Sequence, residues 1–326
     1  MKKFALIIFI CTTVCKAVSQ SVAGITNQRD TSYTINSAFI STKKNYPFIK
    51  IVEEFHSPSV KVKSNITYCK IGKRKMLLDA FYTKQRNKTP LPAILIIHGG
   101  GWRSGDKTLH HPLAQRLASL GYVCFTPEYR LSTEALYPAA VYDIKSALRW
   151  INRNAKEFNI DVSKIAVAGH SAGGELAAFM GATNGNSLFE GSGGNSKHSS
   201  HVDAVIDMDG LLAFIHPESG EGDDSKRISA ATNWFGYSKN DNPELWKQGS
   251  PLTYAAKSTP PTLFINSAVD RMHAGREDYI KILNGYTIYT EVKSFENSPH
   301  SFCLFDPWFE PTVKCIDDFL KKIFIK

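Results

Sequence analysis

The segment KIAVAGHSAGGELAAFMGA, residues 164–182, restricts the fold more than any other part of the chain. Its apolar run 164–169 is typical of a strand buried on both faces. The run ends in Gly169-His170-Ser171-Ala172-Gly173, and an alanine-rich segment of high helix propensity follows without a spacer. A buried strand that meets a helix through so short a glycine-flanked connection predicts a tight turn with Ser171 at its apex.

The same alternation of apolar runs and helical segments extends along the chain. Further strands are predicted at 93–99, a continuous apolar run, and at 122–130, 203–210, 261–268 and 286–295. Residues 138–158 and 311–324 place apolar side chains on one face at helical spacing. This alternation predicts an α/β fold with a doubly wound, mostly parallel sheet. Short β-type runs within 46–90 predict an antiparallel entry to that sheet.

The chain is 326 residues long, a length that one α/β domain can use in full. We predict a loosely held N-terminal lead-in at 20–49 and the α/β domain at 50–326. Within that domain, the Gly/Ser/Asn-rich residues 184–201 predict a surface loop. Residues 211–259 lack clear periodicity, and we predict an insertion there that caps the C-terminal edge of the sheet, where open α/β sheets place ligands.

The first 19 residues predict a signal peptide. Two lysines precede an apolar run from Phe4 to Ile10, and Ala17-Val18-Ser19 fits the small-x-small pattern before a cleavage point. We therefore expect an exported protein, periplasmic or secreted. A lipid anchor at Cys11 or Cys15 is the alternative, although neither cysteine follows the usual leucine and small residues. No later run reaches 18 apolar residues, so no membrane span is predicted.

The charge of the chain favours an acidic partner. Loss of residues 1–19 removes three lysines and no acid, so the formal charge falls from +9 to +6. A basic exported protein is suited to acidic polymers such as acidic polysaccharides. The basic residues are scattered, with only a short cluster at 73–75, so nucleic-acid binding is not predicted.

The cysteines and histidines do not form a metal motif. No CxxC pair occurs, and His110-His111 have neither an HExxH motif nor a third ligand nearby, so no metal and no cofactor are predicted. Among the four cysteines after residue 19, Cys303 and Cys315 form the most plausible disulfide. We favour the alternative that all four are buried free thiols.

Ser171 has the context of a nucleophile, because Gly-x-Ser-x-Gly here joins a predicted strand to a predicted helix. A serine hydroxyl needs a base, and only His273 and His300 follow residue 270. His300 lies in the loop SPHSF between the last strand and the closing helix, the place expected for the base.

The orienting carboxylate is predicted to be Asp270. It follows the run 261–268 closely, and the order Ser, Asp, His is that of one family of serine hydrolases. Glu296, Asp306 and Asp209 are the alternatives; Asp209 ends an earlier strand.

An oxyanion hole is predicted at HGGGW, residues 98–102, directly after the first buried strand. The amides of Gly100 and Gly101 would join the amide of Ala172, the residue after the nucleophile. Trp102 is an alternative donor.

These motifs carry a resemblance. HGGGW, PEYRL, GHSAGG and SPHSF resemble those of α/β-hydrolase carbohydrate esterases, including feruloyl and acetyl-xylan esterases. The tail, with PWFEP, is similar to exported Bacteroidetes-type pectin esterases, including pectin methylesterases. The resemblance covers roughly residues 50–326. It implies an α/β-hydrolase fold, with Ser171, Asp270, His300 and the HGGG amides in catalysis.

One departure bears on the substrate. Many relatives have a small residue and a proline after the acid, whereas this chain has Arg271-Met272-His273. Arg271 and Arg103 could bind a uronate carboxylate in bidentate fashion, or they could be solvated or paired with the acids at 277–278. Trp102 and His170 are further candidate substrate contacts.

The sequence therefore predicts a serine carboxyl-ester hydrolase acting on pectin-type polysaccharide, with a pectin methyl ester as first choice. An acetyl- or feruloyl-esterase acting on pectin or xylan is the alternative. A non-catalytic carbohydrate-binding relative is the alternative of another class.

Overall fold

The computed structural model describes residues 24–84 and 89–324. The predicted signal peptide, with Cys11 and Cys15, lies outside these residues. The strands are β1 Lys50–Ile51, β2 Val60–Ile71, β3 Arg74–Thr83, β4 Leu91–Ile97, β5 Val123–Pro127, β6 Ile160–His170, β7 Ala204–Met208, β8 Thr262–Asn266, β9 Thr290–Ser294 and β10 Phe305–Asp306. The helices are α1 Ile35–Thr42, α2 His111–Ser119, α3 Ala139–Arg153, α4 Ala155–Phe158, α5 Ala172–Ala182, α6 Ala230–Phe235, α7 Pro243–Gln248, α8 Arg276–Gly285 and α9 Phe309–Phe324.

Eight strands form the central sheet in the order β2-β3-β5-β4-β6-β7-β8-β9. β2, β3 and β5 pair antiparallel, and the strands from β5 to β9 in that order pair parallel. β1 and β10 pair separately. The doubly wound, mostly parallel sheet and its antiparallel entry are confirmed.

The central strands of the sheet, from β5 to β8 in sheet order, are buried on both faces, which explains their apolar runs, whereas the edge strands β2 and β9 are largely exposed. Along β4, Ala93, Leu95 and Ile97 pack into one core cluster together with residues of α3 and α5. Ile94 and Ile96 pack into the other cluster together with residues of α2 and α9. Strand side chains alternate between faces, so a run that must fill two cores is apolar at every position.

The single helix predicted at 138–158 is interrupted between α3 and α4. The Asn154 side-chain amide donates a hydrogen bond to the carbonyl of Trp150 at 2.7 Å. The same carbonyl also accepts the Asn154 backbone amide at 3.0 Å. Asn154 itself has φ −97° and ψ 13°, outside the helical range, so α3 ends there.

The N-terminal residues differ from the loosely held lead-in that their composition predicts. The Arg29 guanidinium donates to the carbonyl oxygens of Tyr129 and Gly105 at 3.2 and 3.1 Å. In α1, Ala38 is buried and Phe39 packs edge-on against Phe305. The described part of this segment is therefore fixed to the domain.

The predicted insertion at 211–259 contains α6 and α7 and is built on aromatic packing. Trp234 and Phe235 contact Phe214, and Phe235 also contacts Trp246. All four rings are buried. Trp234 and Phe235 are therefore packing residues of the insertion.

The four described cysteines are free: Cys69, Cys124 and Cys303 are buried, and Cys315 is partly buried. No described helix has the length and apolar character that crossing a membrane requires.

Gly173 provides a test of the packing beneath α5. A Cβ at this position would collide with the Ile97 carbonyl oxygen of β4 and lie 2.7 Å from the His98 carbonyl. We expect Gly173→Ala to lower the free energy of unfolding by about 1–3 kcal/mol or more. Gly285→Ala is the matched control, because a Cβ there meets nothing within 4 Å. Urea unfolding of both variants measures the difference, and equal midpoints would contradict the packing described.

Candidate active site

Ser171 lies at the turn between β6 and α5, in a strained backbone conformation with φ 58° and ψ −123°. Such a conformation persists only when the surroundings hold it. Here the Ser171 amide donates to the Met208 carbonyl at 2.9 Å, and the Ser171 carbonyl accepts from the amides of Gly174 and Glu175. The turn therefore presents the hydroxyl from a fixed backbone, as the sequence predicts.

His300 contacts the serine with one ring nitrogen and a carboxylate with the other. Its Nε2 lies 2.8 Å from Ser171 Oγ, and its Nδ1 lies 2.9 Å from Asp209 Oδ2. The structure thus brings Ser171 and His300 together, as expected, and supplies a carboxylate on the far side of the ring. Such an order of groups can remove the serine proton while a carboxylate stabilises the resulting imidazolium.

The prediction of Asp270 as the orienting carboxylate is corrected. Asp270 is exposed at the start of a short 3-10 turn, whereas the side chain of Asp209 is fully buried against His300. β7 lies between β6 and β8, so the residue that directly follows β7 is next to the nucleophile turn. Glu296 and Asp306 are also exposed.

Asp209 is held by three donors. Its Oδ1 accepts the Ser267 amide at 2.7 Å and lies 3.3 Å from His273 Nε2, while Oδ2 contacts His300. Burial alone would raise the pKa of Asp209, but the hydrogen bonds from His273, His300 and Ser267 outweigh it and hold that pKa far below its usual range. His273, expected at the cleft rim, thus serves the carboxylate.

His170 is not placed to contact a substrate. It is 1% exposed, and its Nε2 donates to the carbonyl oxygen of His300 at 2.7 Å. Burial, together with the nearby His300, lowers the pKa of His170 to about 4. The neutral ring therefore supports the loop that carries His300.

The loop 98–102, named the oxyanion loop below, lies directly against the nucleophile turn. A Cβ at Gly99 would lie 2.8 Å from the His170 carbonyl oxygen and 3.1 Å from Ser171 Cβ. Gly100, Gly101 and Trp102 have φ values of 114°, 60° and 56°. In residues 24–84 and 89–324, the amides of Gly100, Gly101 and Ala172 have no protein acceptor. These amides are free to bind an oxyanion beside Ser171.

The Trp102 side chain is buried, contrary to its prediction as a substrate contact. It is 3% exposed and stacks on Trp234 at a centroid distance of 4.9 Å. Its Nε1 donates to Glu175 Oε2 at 2.9 Å. The side chain therefore anchors the loop in the core.

The two candidate arginines have different surroundings. Arg271 is exposed and lies 3.8 Å from Glu221 Oε1, so it pairs with the insertion rather than with the acids at 277–278. Arg103 is partly buried, and its guanidinium makes no hydrogen bond or ion pair with another described residue. Its charge acts on the Asp30 carboxylate, so among the described residues Arg103 interacts with an acid but keeps hydrogen-bond donors beside the oxyanion loop.

Among the described residues, no group of three or more His, Cys, Asp or Glu side chains is arranged to hold a metal ion. His111 contacts Glu54 at 3.0 Å and Asp79 at 2.8 Å, and His110 is buried.

Two carboxyl groups are buried behind the nucleophile turn. Burial raises the pKa of Glu175 and the pKa of Asp207 well above their usual values. Asp207 Oδ1 accepts the Gly210 amide at 2.6 Å. Sequence reasoning missed both groups, since a single Glu or Asp carries no sign of burial in the sequence.

Asp209 and Asp270 give a matched pair of variants. We expect Asp209→Asn to lower kcat for a p-nitrophenyl ester by about 10³- to 10⁴-fold, because the amide cannot stabilise the His300 imidazolium. Asp270→Asn should change kcat by less than about 3-fold, as expected of a substitution at an exposed position. The reverse pattern would restore the assignment made from chain order.

The pKa of Glu175 predicts a pH dependence of stability. A carboxyl with a raised pKa in the folded state stabilises the protein fully below its unfolded value and loses that contribution as pH rises. The stability of Glu175→Gln relative to wild type should therefore increase above the ordinary pKa of 4.5, and urea unfolding between about pH 5 and 8 measures this. Burial and Asp207 raise the pKa of Glu175, and burial, together with the Glu175 charge, raises the pKa of Tyr129 and of Tyr137. None of these last three residues, Asp207, Tyr129 and Tyr137, is changed in the variant. Glu244→Gln, at an exposed site, is the control. A flat difference at Glu175 would contradict the prediction.

Several known proteins are similar to this chain. Esterase LipC of Mycobacterium tuberculosis is 29% identical over 199 residues, which cover 60% of this chain and 48% of LipC. The chain thus spans about half the length of that relative. An esterase of Gibberella moniliformis is 28% identical over 240 residues, 69% of this chain and 71% of that protein.

Solved structures share the fold. A truncated form of a carbohydrate esterase from gut microbiota superposes with a TM-score of 0.67 at 25% identity, covering 85% of this chain and 99% of that chain. The butyrate-bound esterase Est2 of Thermogutta terrifontis has a TM-score of 0.66 at 23% identity, over 82% of this chain and 95% of that one.

The BD-FAE family matches residues 78–274, a range that holds the oxyanion loop, Ser171 and Asp209. With the strand–turn–helix at Ser171 and the observed sheet order, these similarities confirm the predicted fold. The chain belongs to the BD-FAE family and has the α/β-hydrolase fold.

Proposed function

We propose that this protein is a serine carboxylic ester hydrolase acting on esters of plant cell-wall polysaccharide. The observation that carries the proposal is the contact of His300 with Ser171 Oγ at 2.8 Å and with Asp209 at 2.9 Å, beside unpaired amides of the oxyanion loop. Membership of the BD-FAE family and the esterase names of the relatives support it.

In the first half of the reaction, Ser171 Oγ attacks the ester carbonyl carbon and His300 Nε2 takes the hydroxyl proton. Asp209 stays ionised and stabilises the imidazolium through Nδ1–H. The amides of Gly100, Gly101 and Ala172 bind the developing oxyanion. The carbon–oxygen bond to the alcohol then breaks, and His300 returns the proton to the leaving alcohol.

In the second half, water occupies the place of the alcohol. His300 accepts a proton from this water as its oxygen attacks the acyl carbon on Ser171. The tetrahedral intermediate uses the same oxyanion amides. Its collapse breaks the acyl–Oγ bond, returns the proton to Ser171 and releases the carboxylic acid.

For the substrate, a pectin methyl ester is our first choice. In that reaction the galacturonate is the acyl part and methanol leaves. Arg103 supports the choice: its guanidinium makes no hydrogen bond or ion pair within residues 24–84 and 89–324, although its charge acts on Asp30, and it could bind the carboxylate of a neighbouring uronate in bidentate fashion. The formal charge of +6 that remains after loss of residues 1–19 suits an acidic polymer. Export to the periplasm or the medium, where such polymers occur, is part of the proposal.

The products released from polysaccharides test the reaction and its substrate. We expect methanol from methyl-esterified pectin, and we expect Ser171→Ala to abolish that release and the labelling of the protein by a phosphonate. Acetate or ferulate release without methanol would overturn the pectin methyl ester. No product from any ester and no labelling of Ser171 would overturn the ester hydrolase.

Arg103 is tested by the ratio of KM values for polymeric pectin and for p-nitrophenyl acetate. Arg103→Met should raise that ratio about 10-fold, the effect of losing a charged hydrogen bond. Arg227→Met removes an exposed arginine of the insertion and should leave the ratio unchanged. Equal ratios in both variants would remove Arg103 from substrate binding.

A further inference from the structure

We propose that Glu175 is a positioning residue that holds the oxyanion loop in register with the nucleophile through its hydrogen bond from Trp102. This inference rests on the proposed ester hydrolase function and adds to it a determinant of the oxyanion hole. Three observations support it: the backbone bond of Glu175 to Ser171, the side-chain bond of Glu175 to Trp102, and the protonation state of the carboxyl group.

The first end is the backbone of Glu175, which belongs to the nucleophile turn. The Glu175 amide donates to the Ser171 carbonyl at 3.0 Å, one turn along α5. α5 cannot shift freely against β6, because the backbones of Gly169 and Gly173 are so close that a Cβ at Gly169 would collide with the Gly173 carbonyl. The position of Glu175 is therefore tied to the position of Ser171.

The second end is the Trp102 indole. Nε1 donates to Glu175 Oε2 at 2.9 Å, and both side chains are buried, 3% and 0% exposed. Water cannot replace a partner at such a depth, and loss of one partner leaves the other unsatisfied. The hydrogen bond is therefore a strong directional link between the loop and α5.

Trp102 needs this link because its backbone is strained. Its φ of 56° is a left-handed value that costs a non-glycine residue about 1–2 kcal/mol. Stacking on Trp234 sets the plane of the indole, but stacked rings can slide past each other. The bond to Glu175 sets the position within that plane.

The oxyanion amides precede this anchor directly. Gly100 and Gly101 have no side chains of their own, and both have left-handed φ values. On one side, Gly99 packs against the nucleophile turn, and on the other side Trp102 enters the core. Backbone bonds also hold the loop, since the Gly100 carbonyl accepts from the amides of Arg103 and Ser104 and the Trp102 carbonyl accepts from the Ser132 amide at 2.7 Å. The bond from the Trp102 indole to Glu175 ties this loop to the helix that follows Ser171.

Glu175 performs this role as a neutral acid. Burial raises its pKa well above the usual value, with Asp207 adding to the effect. A neutral carboxyl accepts from the indole through its carbonyl oxygen, as a carboxamide would. Glutamine is thus the conservative replacement, and leucine removes the acceptor at similar size.

Steady-state kinetics with a p-nitrophenyl ester test the role. We expect Glu175→Leu to lower kcat about 10- to 100-fold with KM changed by less than about 2-fold, a partial loss of oxyanion stabilisation. Glu175→Gln should retain kcat within about 3-fold. The rate of Ser171 modification by a phosphonate, whose oxygen occupies the same hole, should fall in parallel with kcat. A folded Glu175→Leu with wild-type kcat, or a Glu175→Gln as impaired as Glu175→Leu, would overturn the inference.

Trp102→Phe supplies an independent variant, because it removes the N–H and keeps an aromatic ring. Both substitutions remove the same hydrogen bond. The kcat of the double variant Trp102→Phe/Glu175→Leu should therefore be no lower than the kcat of the more impaired single variant. Additive losses would overturn the inference.

A measurement without turnover separates this inference from the proposed function. The Trp102 indole N–H signal in a ¹H–¹⁵N spectrum, assigned by its absence in Trp102→Phe, should shift and exchange faster in Glu175→Leu and not in Glu175→Gln. An unchanged signal in Glu175→Leu overturns the inference even if the esterase is active. Wild-type protein that hydrolyses no ester overturns the proposed function whatever this signal shows.

Discussion

The close backbone packing where β6 turns into α5 sets the relative positions of the groups of the site. A Cβ at Gly169 would meet the Gly173 carbonyl, and one at Gly173 would meet Ile97 of β4. A Cβ at Gly174 would likewise meet the Asp207 side chain of β7. These contacts bring three strands and a helix so close that the oxyanion loop after β4, the nucleophile after β6 and the carboxylate after β7 share one edge. The strain at Ser171 is held by this packing rather than by any single bond.

Local patterns in the sequence were sufficient for the elements and for two members of the triad. Ser171 and His300 lie in motifs whose neighbours specify a turn and a loop, and the apolar runs predicted the central strands within a few residues. Asp209 required the order of strands across the sheet, because its contact with His300 spans 91 residues. Asp270 follows the usual chain order but lies beyond the end of β8, where it turns to solvent.

Buried polar side chains were the part of the site that composition could not reveal. Trp102, His170 and Glu175 are all buried and all bond to other parts of the site. Each of them follows a glycine, which indicates close packing but not its partners. A residue beside a catalytic motif is as often a support beneath it as a contact with the substrate, and burial decides between the two.

The attachment of Arg29 to the carbonyls of Gly105 and Tyr129 has a consequence for how the chain can be shortened. Both carbonyls belong to segments that follow strands of the active-site edge, one of them three residues after the oxyanion loop. Proteolytic trimming or an expression boundary placed after Arg29 would release those segments although it removes no catalytic group. The residues around Arg29 are thus part of the surface that holds the candidate site, and a truncated form should be chosen with Arg29 retained.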